Sequence, residues 1–355
     1  MATTDRQFEA YQAFLLDTKR DWTTRVYPAL TERYRRRAAA AARDGAERPR
    51  TADEVAALME GDTLYRWFAW LERHLQRFKY SGRWGLIPAH EGRRAELEAL
   101  LARDPGDRLR LDPDLELPRY YTSVDIHQHP GGVWSDSLAG FVYERGARST
   151  TPLMNRDADL HYRFTDVVMA EGGGARLVDL GCGFGKSTRP FYTENREMAV
   201  TGVDLSAPCL TLAAVTAAED QAANVRYVQA DAQATGLEAE AFDTVTSTML
   251  LHEMPPPALE RLVAESHRLL APGGVAVHLD FLPGDDPWNK FIHYGHGRRN
   301  NEPFMRPLDE MDIAAAHRAA GFREVEVRPF EEMPGALDPS NEAWRFPWTV
   351  IVARK

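Results

Sequence analysis

Leu177-Val-Asp-Leu-Gly181-Cys-Gly183-Phe-Gly185-Lys-Ser187 decides how this chain is read. The apolar run Arg176-Leu-Val-Asp-Leu180 leads into it and reads as a short buried strand, and a helix is predicted after it. Glycines between a strand and a helix let the chain turn tightly. They also let a ligand approach the backbone where free helix N–H groups point outward. Three ligand classes use such turns, and spacing separates them. The dinucleotide fingerprint G-x-G-x-x-G needs a third glycine where this chain has Lys186. The phosphate loop G-x-x-x-x-G-K-[ST] finds Gly185-Lys186-Ser187 but needs a glycine where the chain has Leu180. Lys186 and Ser187 therefore read as residues of a helix start. What remains is D-x-G-x-G-x-G, with Asp179 two residues before the first glycine.

Outward from this turn the C-terminal part alternates. Strands are expected at Ala199–Val203, Val225–Gln229, Thr244–Thr248, Gly274–Phe281, Glu324–Pro329 and Trp348–Ala353. Helices are expected between them, at Ala207–Ala222, Pro257–Leu270 and Leu308–Ala320, and another at Asp159–Met169 precedes the first strand. Alternation with short apolar strands means a mostly parallel sheet covered on both faces. The expected fold is α/β, a doubly wound seven-stranded sheet carrying an α-helical N-terminal domain.

Further motifs follow at ordered spacings. Gly202-Val-Asp204-Leu205-Ser ends the second strand, with its acid 23 residues after Gly181; an acid there can accept both hydroxyls of a ribose. Gln229-Ala-Asp231-Ala232 ends the third, Ala241-Phe-Asp243 opens the fourth, and Leu269-Leu-Ala-Pro-Gly273-Gly274 precedes the fifth. Together with the glycine-rich turn this set resembles the class I S-adenosylmethionine-dependent methyltransferases over roughly residues 160–355. The resemblance implies transfer of a methyl group from S-adenosylmethionine to an acceptor, leaving S-adenosylhomocysteine. It implies that Gly181, Cys182, Gly183 and Gly185 pass the methionyl part along the backbone, and that Asp179 meets its amino group. Asp204 with Leu205 would hold the ribose, Asp231 and Ala232 the adenine, and Met249 and Leu250 would flank the sulfonium. The segment before the core, with Tyr143, is expected to lid the cofactor.

Candidate chemistry beyond the cofactor rests on fewer residues. His252-Glu253 follows the fourth strand, where a general base would serve, and His293 is a third catalytic candidate. Trp134, Trp288, Tyr294, His296 and Arg298 are the candidates for holding a planar or carboxylate-bearing acceptor. Asp125, His127, His129 and Asp136 invite a metal reading, but the Pro130-Gly131-Gly132 turn favours a structured loop, and no metal is expected.

The N-terminal part is helical in pattern. Apolar residues recur at Phe8, Tyr11, Phe14 and Leu15, then Val26, Leu30 and Tyr34. Thr51 and Glu54 form a capping box before one long helix through Trp70, and Trp67-Phe68-Trp70 reads as helix packing. The expected division is a helical cap or dimerisation domain over 1–110 and a connector or lid over 111–154. The core follows over 155–355, with an acceptor-binding insertion near 283–307.

Charge follows the same division. The 355 residues hold 43 Lys and Arg against 53 Asp and Glu, a net charge of −10. Residues 1–110 hold 21 basic and 17 acidic groups, a net of +4; the remainder holds 22 and 36, a net of −14. An acidic core suits a cationic cofactor, and the overall sign argues against a nucleic-acid partner. Arg outnumbers Lys 38 to 5, the bias of a GC-rich, bacterial genome. Two cysteines, Cys182 and Cys209, form no disulfide framework. The polar opening carries no signal peptide, and no apolar run reaches the length of a membrane span. A cytoplasmic enzyme with a small-molecule acceptor, such as a secondary metabolite, and a homodimer through the helical domain are expected. The competing readings are a nucleic-acid or protein methyltransferase and a non-catalytic cofactor sensor.

Overall fold

The computed structural model of the chain describes residues 6–149, Leu153 and 159–355. One mixed sheet holds eight strands: β1 (Leu109–Arg110), β2 (Arg176–Leu180), β3 (Ala199–Asp204), β4 (Val225–Gln229), β5 (Phe242–Thr248), β6 (Leu270–Phe281), β7 (Glu324–Pro329) and β8 (Trp348–Arg354). Their order is β1-β4-β3-β2-β5-β6-β8-β7. Only β8 runs antiparallel to its neighbours, β6 and β7. The sheet exceeds the expected seven strands by β1, which pairs Leu109 with Tyr227 and Arg110 with Val228. Two residues are too few to show a period, so β1 left no signal in the sequence.

The central strands read as apolar runs because both faces are covered. Leu177, Val178 and Leu180 of β2 are fully buried. One face packs Phe164, Phe191, Tyr192 and Leu210; the other packs Leu259, Leu262, Val263 and Phe322. From β2 the chain winds out through β3 to β4, then crosses back to β5 on the other side of β2. The reversal opens a crevice outside the carboxyl ends of β2 and β5, the place where open α/β sheets bind ligands.

Three elements differ from the sequence expectation. The single helix expected from Thr51 through Trp70 is two, Ala52–Leu58 and Thr63–Tyr80. The capping box of the first is present: Thr51 Oγ1 accepts from the Glu54 N–H at 3.2 Å and Glu54 accepts from the Thr51 N–H at 3.3 Å. Gly61 at φ +77° breaks the path, and Asp62 caps the second helix by accepting from the Tyr65 N–H at 3.0 Å. On that helix Phe68 packs inward, while Trp67 and Trp70 are half exposed at 48% and 53%. The helix expected over Leu308–Ala320 is likewise two, Met305–Asp309 and Ile313–Ala319, the second capped by Asp312.

The third difference matters most for the site. Residues 283–307 are largely helical, Pro287–Asn300, capped by Asp286 and ended by Asn301 at φ +60°. This helix joins the N-terminal helices. Trp288 stacks on Tyr34 at 4.7 Å, and Phe291, Ile292 and Tyr294 share a core with Leu15, Trp22, Leu30 and Phe68. A helix covered on nearly all sides has no amphipathic period, which is why its sequence reads as a loop. The helical part is thus built from both ends of the chain.

Between the helical part and β2, residues 111–149 form short helices at Arg119–Thr122, Ile126–Gln128 and Ala139–Ala147. The expected boundary at 154/155 lies outside the described residues. Among the described residues no helix is long and apolar enough to cross a membrane.

Candidate active site

A cavity of about 210 Å³ lies where the loops after β2, β3, β4 and β5 meet the helical part. The turn after β2 contributes Gly181, Cys182 and Gly183. Gly181 has φ +68°, a conformation that favours glycine, and a Cβ there would press on the Leu250 side chain at 2.7 Å. Gly183, at φ +52°, faces Tyr143, whose Cε1 would lie 3.7 Å from an added Cβ. A larger side chain there would enter the cavity.

Asp204 ends β3 on the cavity wall. Its Oδ2 accepts from the Gly183 N–H at 2.8 Å and its Oδ1 from the Ser206 N–H at 2.7 Å. Burial pushes its carboxyl up to about 6, against the pull of those two N–H groups. Leu205, Asp231 and Ala232 line the same wall, and Asp231 accepts from the Gln233 N–H at 2.9 Å. Met249, after β5, lines it from a left-handed backbone at φ +57°, an unusual conformation for a non-glycine residue. Tyr143 covers the turn, its ring edge-on to Phe184 at 5.3 Å.

Two buried hydroxyls on this wall, Tyr121 OH and Thr248 Oγ1, have no protein partner. A buried polar group without a partner is costly, so these atoms fit a ligand with hydroxyl, amine or carboxylate groups.

Two of the expected cofactor residues stand off the wall. Asp179 is fully buried behind the turn, accepting from Ser187 Oγ at 2.8 Å, Thr188 Oγ1 at 2.7 Å and Thr246 Oγ1 at 3.2 Å. It ties β2 to β5 and to the helix start instead of facing the ligand space. Gly185 is also off the wall, packed against Tyr227 and Ala213.

The catalytic candidates separate too. His252 and Glu253 line the cavity. His252 Nδ1 pairs with Asp280 Oδ1 at 2.7 Å, and Asp280 also accepts the N–H groups of Leu251 and Phe281 at 2.7 and 2.8 Å. Burial opposes the imidazolium, but the Asp280 carboxylate outweighs it and raises the His252 pKa. His293 departs from expectation. It is buried off the cavity, neither ring nitrogen has a partner, and burial lowers it to about 3, so it stays neutral.

Of the five acceptor candidates only His296 lines the cavity, bound through Nδ1 to Glu72 at 2.6 Å. Trp288 and Tyr294 are built into the helical core, with Tyr294 OH donating to Asp309. Trp134 lies off the cavity and Arg298 is exposed. The helix that carries Trp288, Tyr294 and Arg298 is turned by its packing against the N-terminal helices, which a loop reading could not anticipate.

His127 organises the centre. Its backbone is left-handed at φ +54°; Nε2 meets Glu253 at 3.0 Å and Nδ1 meets Glu302 at 3.0 Å. Burial opposes its charge, but the two carboxylates win and raise it to about 10. The imidazolium thus joins the connector to the loop after β5 and to the segment after Pro287–Asn300. His129 stacks on Tyr80 at 5.2 Å and Asp136 pairs with Arg94, so these residues of the loop do not converge on one point. Among the described residues no three His, Cys, Asp or Glu side chains form a group that could hold a metal.

Residues 177–274 match the family model described as a methyltransferase domain. Over residues 177–274 the chain carries a methyltransferase domain. The chain is 33% identical over 132 residues to a demethylmenaquinone methyltransferase of Thermus thermophilus, covering 37% of this chain and 59% of that protein. It is 31% identical over 112 residues to an uncharacterised methyltransferase of Synechocystis, covering 32% and 50%. It spans about half the length of the curated relatives it matches. A Haemonchus contortus phosphoethanolamine N-methyltransferase 2, solved with S-adenosyl-L-methionine, superposes with a TM-score of 0.46 at 18% identity, covering 62% of this chain and 57% of that one.

Several residues of the cavity wall went unread in the sequence: Lys19, Trp22, Glu72, Gln76, Lys79, Tyr80, Tyr121 and Glu302 line the cavity, and Asp280 stands behind His252. Two signals were present. Glu72, Gln76 and Lys79 recur at helical spacing among apolar residues, a polar stripe on a buried face. Asp280 is the only acid in a run of buried strand residues from Val275 to Phe281.

Proposed function

We propose that this cavity binds S-adenosylmethionine beside a small-molecule acceptor and transfers the methyl group to it. One observation carries the reading: the glycine-rich turn and the helical part line the same cavity. The space in front of the cofactor residues is therefore roofed by helices, which suits a small acceptor better than a polymer.

S-adenosylmethionine supplies an activated methyl group and leaves as S-adenosylhomocysteine. Gly181, Cys182 and Gly183 would carry its methionyl part, Asp204 its ribose, and Asp231 with Ala232 its adenine. Tyr121 OH and Thr248 Oγ1 supply unpaired hydroxyls, and Tyr143 and Met249 would flank the methyl-donating end. The protein's own work is alignment and proton removal. Asp280 holds Nδ1 of His252, which leaves Nε2 to take the acceptor proton and makes the ring more basic. Glu253 is held by the His127 imidazolium and sets the charge beside His252.

The test incubates the protein with methyl-labelled S-adenosylmethionine and a cell extract separated into small molecules, protein and nucleic acid. Label is expected in the small-molecule fraction. Label confined to protein or nucleic acid would overturn the small-acceptor reading. His252→Asn should lower turnover about 100-fold or more while cofactor affinity holds; unchanged turnover would remove His252 from the mechanism.

A further inference from the structure

The cavity wall on the helical side carries two lysines, Lys19 from the helix Arg6–Asp21 and Lys79 from Thr63–Tyr80. Lys79 is only 7% exposed. Its Nζ reaches one oxygen, the Gly146 carbonyl at 3.4 Å, while Lys19 Nζ reaches the Ser149 carbonyl at 3.2 Å and Ser149 Oγ at 3.4 Å. All of these are neutral acceptors at or just past the end of the helix Ala139–Ala147. No carboxylate among the described residues pairs with either lysine, because the nearby acids are committed elsewhere. Glu72 holds Arg299 and His296, and Glu253 and Glu302 hold His127. Burial lowers both amines, Lys19 to about 8 against the pull of Glu72 and Glu302, and Lys79 well below its usual range, where the charge of Lys19 lowers it further and Glu302 opposes the shift.

Lys79 is buried and Lys19 partly so, and among the described residues both amines bond only neutral oxygens, so an anion seated against them would gain a partner and favour their protonation. The wall also carries the aromatic side chains Trp22, Tyr80, Phe281 and Phe346, beside the carboxylates Glu72 and Glu302, which are held by Arg299, His296 and His127. Trp22 and Thr23 lie in a single π-helical turn, Trp22–Val26, which interrupts the helix beside Lys19; such turns recur at functional sites.

Resting on the small-acceptor reading above, we propose that the acceptor is an apolar or aromatic molecule with an anionic group, seated between the Lys19 and Lys79 ammonium groups. A carboxylate and a phosphate ester share this chemistry. The Arg298 and Arg299 pair of the 283–307 segment does not provide it, since Arg298 is exposed and neither arginine lines the cavity.

Three probes with one ring system separate the cases: 3-hydroxy-2-naphthoate, 2-naphthyl phosphate and neutral 2-naphthol. Each is titrated calorimetrically into the wild type, Lys19→Met and Lys79→Met, with and without S-adenosylhomocysteine. At least one anion should bind about tenfold or more tighter than 2-naphthol, and each substitution should shrink that preference to about twofold. The preferred anion identifies carboxylate or phosphate. The inference falls if 2-naphthol binds as tightly as both anions, if neither anion binds, or if both variants keep the preference. Lysines that only cap a helix end would change stability and leave the ratio untouched. Failure of S-adenosylhomocysteine to bind would instead refute the cofactor reading, while the titrations without it still decide this one.

Discussion

Replacing His127 with Phe should destabilise the protein in a pH-dependent way. The phenyl ring keeps the ring stack on Tyr143, at 5.8 Å, and removes both bonds to Glu253 and Glu302. The wild-type imidazole rises from 6.5 to about 10 on folding. At about 1.4 kcal/mol per tenfold in proton affinity, the full effect is about 5 kcal/mol. A raised pKa stabilises fully below 6.5 and loses its contribution as pH climbs through about 10. Linkage then leaves about 4 kcal/mol at pH 7 and about 1.4 kcal/mol at pH 9. Urea unfolding of both proteins at the two pH values reads the difference directly. Any fixed cost of seating Phe at φ +54° cancels between them. A variant as stable as wild type at pH 7, or a gap of the same size at pH 9, would refute the claim that a buried imidazolium joins these three segments.

Other perturbations follow from the same geometry. Gly183→Val, at φ +52° on the cavity wall, should weaken S-adenosylhomocysteine about 100-fold or more by calorimetry; affinity within twofold of wild type would remove the turn from the site. That affinity should also fall as pH drops from 7 to 5, because Asp204 titrates at about 6 and its protonated carboxyl accepts ribose hydroxyls poorly. A flat profile over that range would argue against Asp204 as the ribose acceptor. Trp288→Ala should cost about 3–5 kcal/mol in urea unfolding, since the side chain is buried between helices from both ends of the chain. A loss under about 1 kcal/mol would deny that the helical part depends on this helix.

The sheet and the strand-end side of the cavity wall were the legible part of the sequence. Strands such as β2 and β3 announce themselves as apolar runs, and Gly181, Asp204 and Asp231 follow strand ends at fixed spacing. The site's other half is assembled by packing between distant segments, and no local pattern encodes that. His127 meets Glu302 across 175 residues and Glu72 meets Arg299 across 227. Asp179 shows the converse: its place in the motif was plain, but only three hydroxyl donors behind the turn reveal that it faces inward. The helix Pro287–Asn300 was unreadable as a helix because burial on most sides erased its period.

By this reading the loops after β2, β3 and β4 form a cofactor site roofed by the helical part. Calorimetric titration of the purified protein with S-adenosylhomocysteine at pH 7.5 tests it most directly. One equivalent should bind, with a dissociation constant on the order of micromolar, and Asp204→Ala should weaken it about tenfold or more. No binding at millimolar concentration, or equal binding by the Asp204→Ala variant, would contradict it.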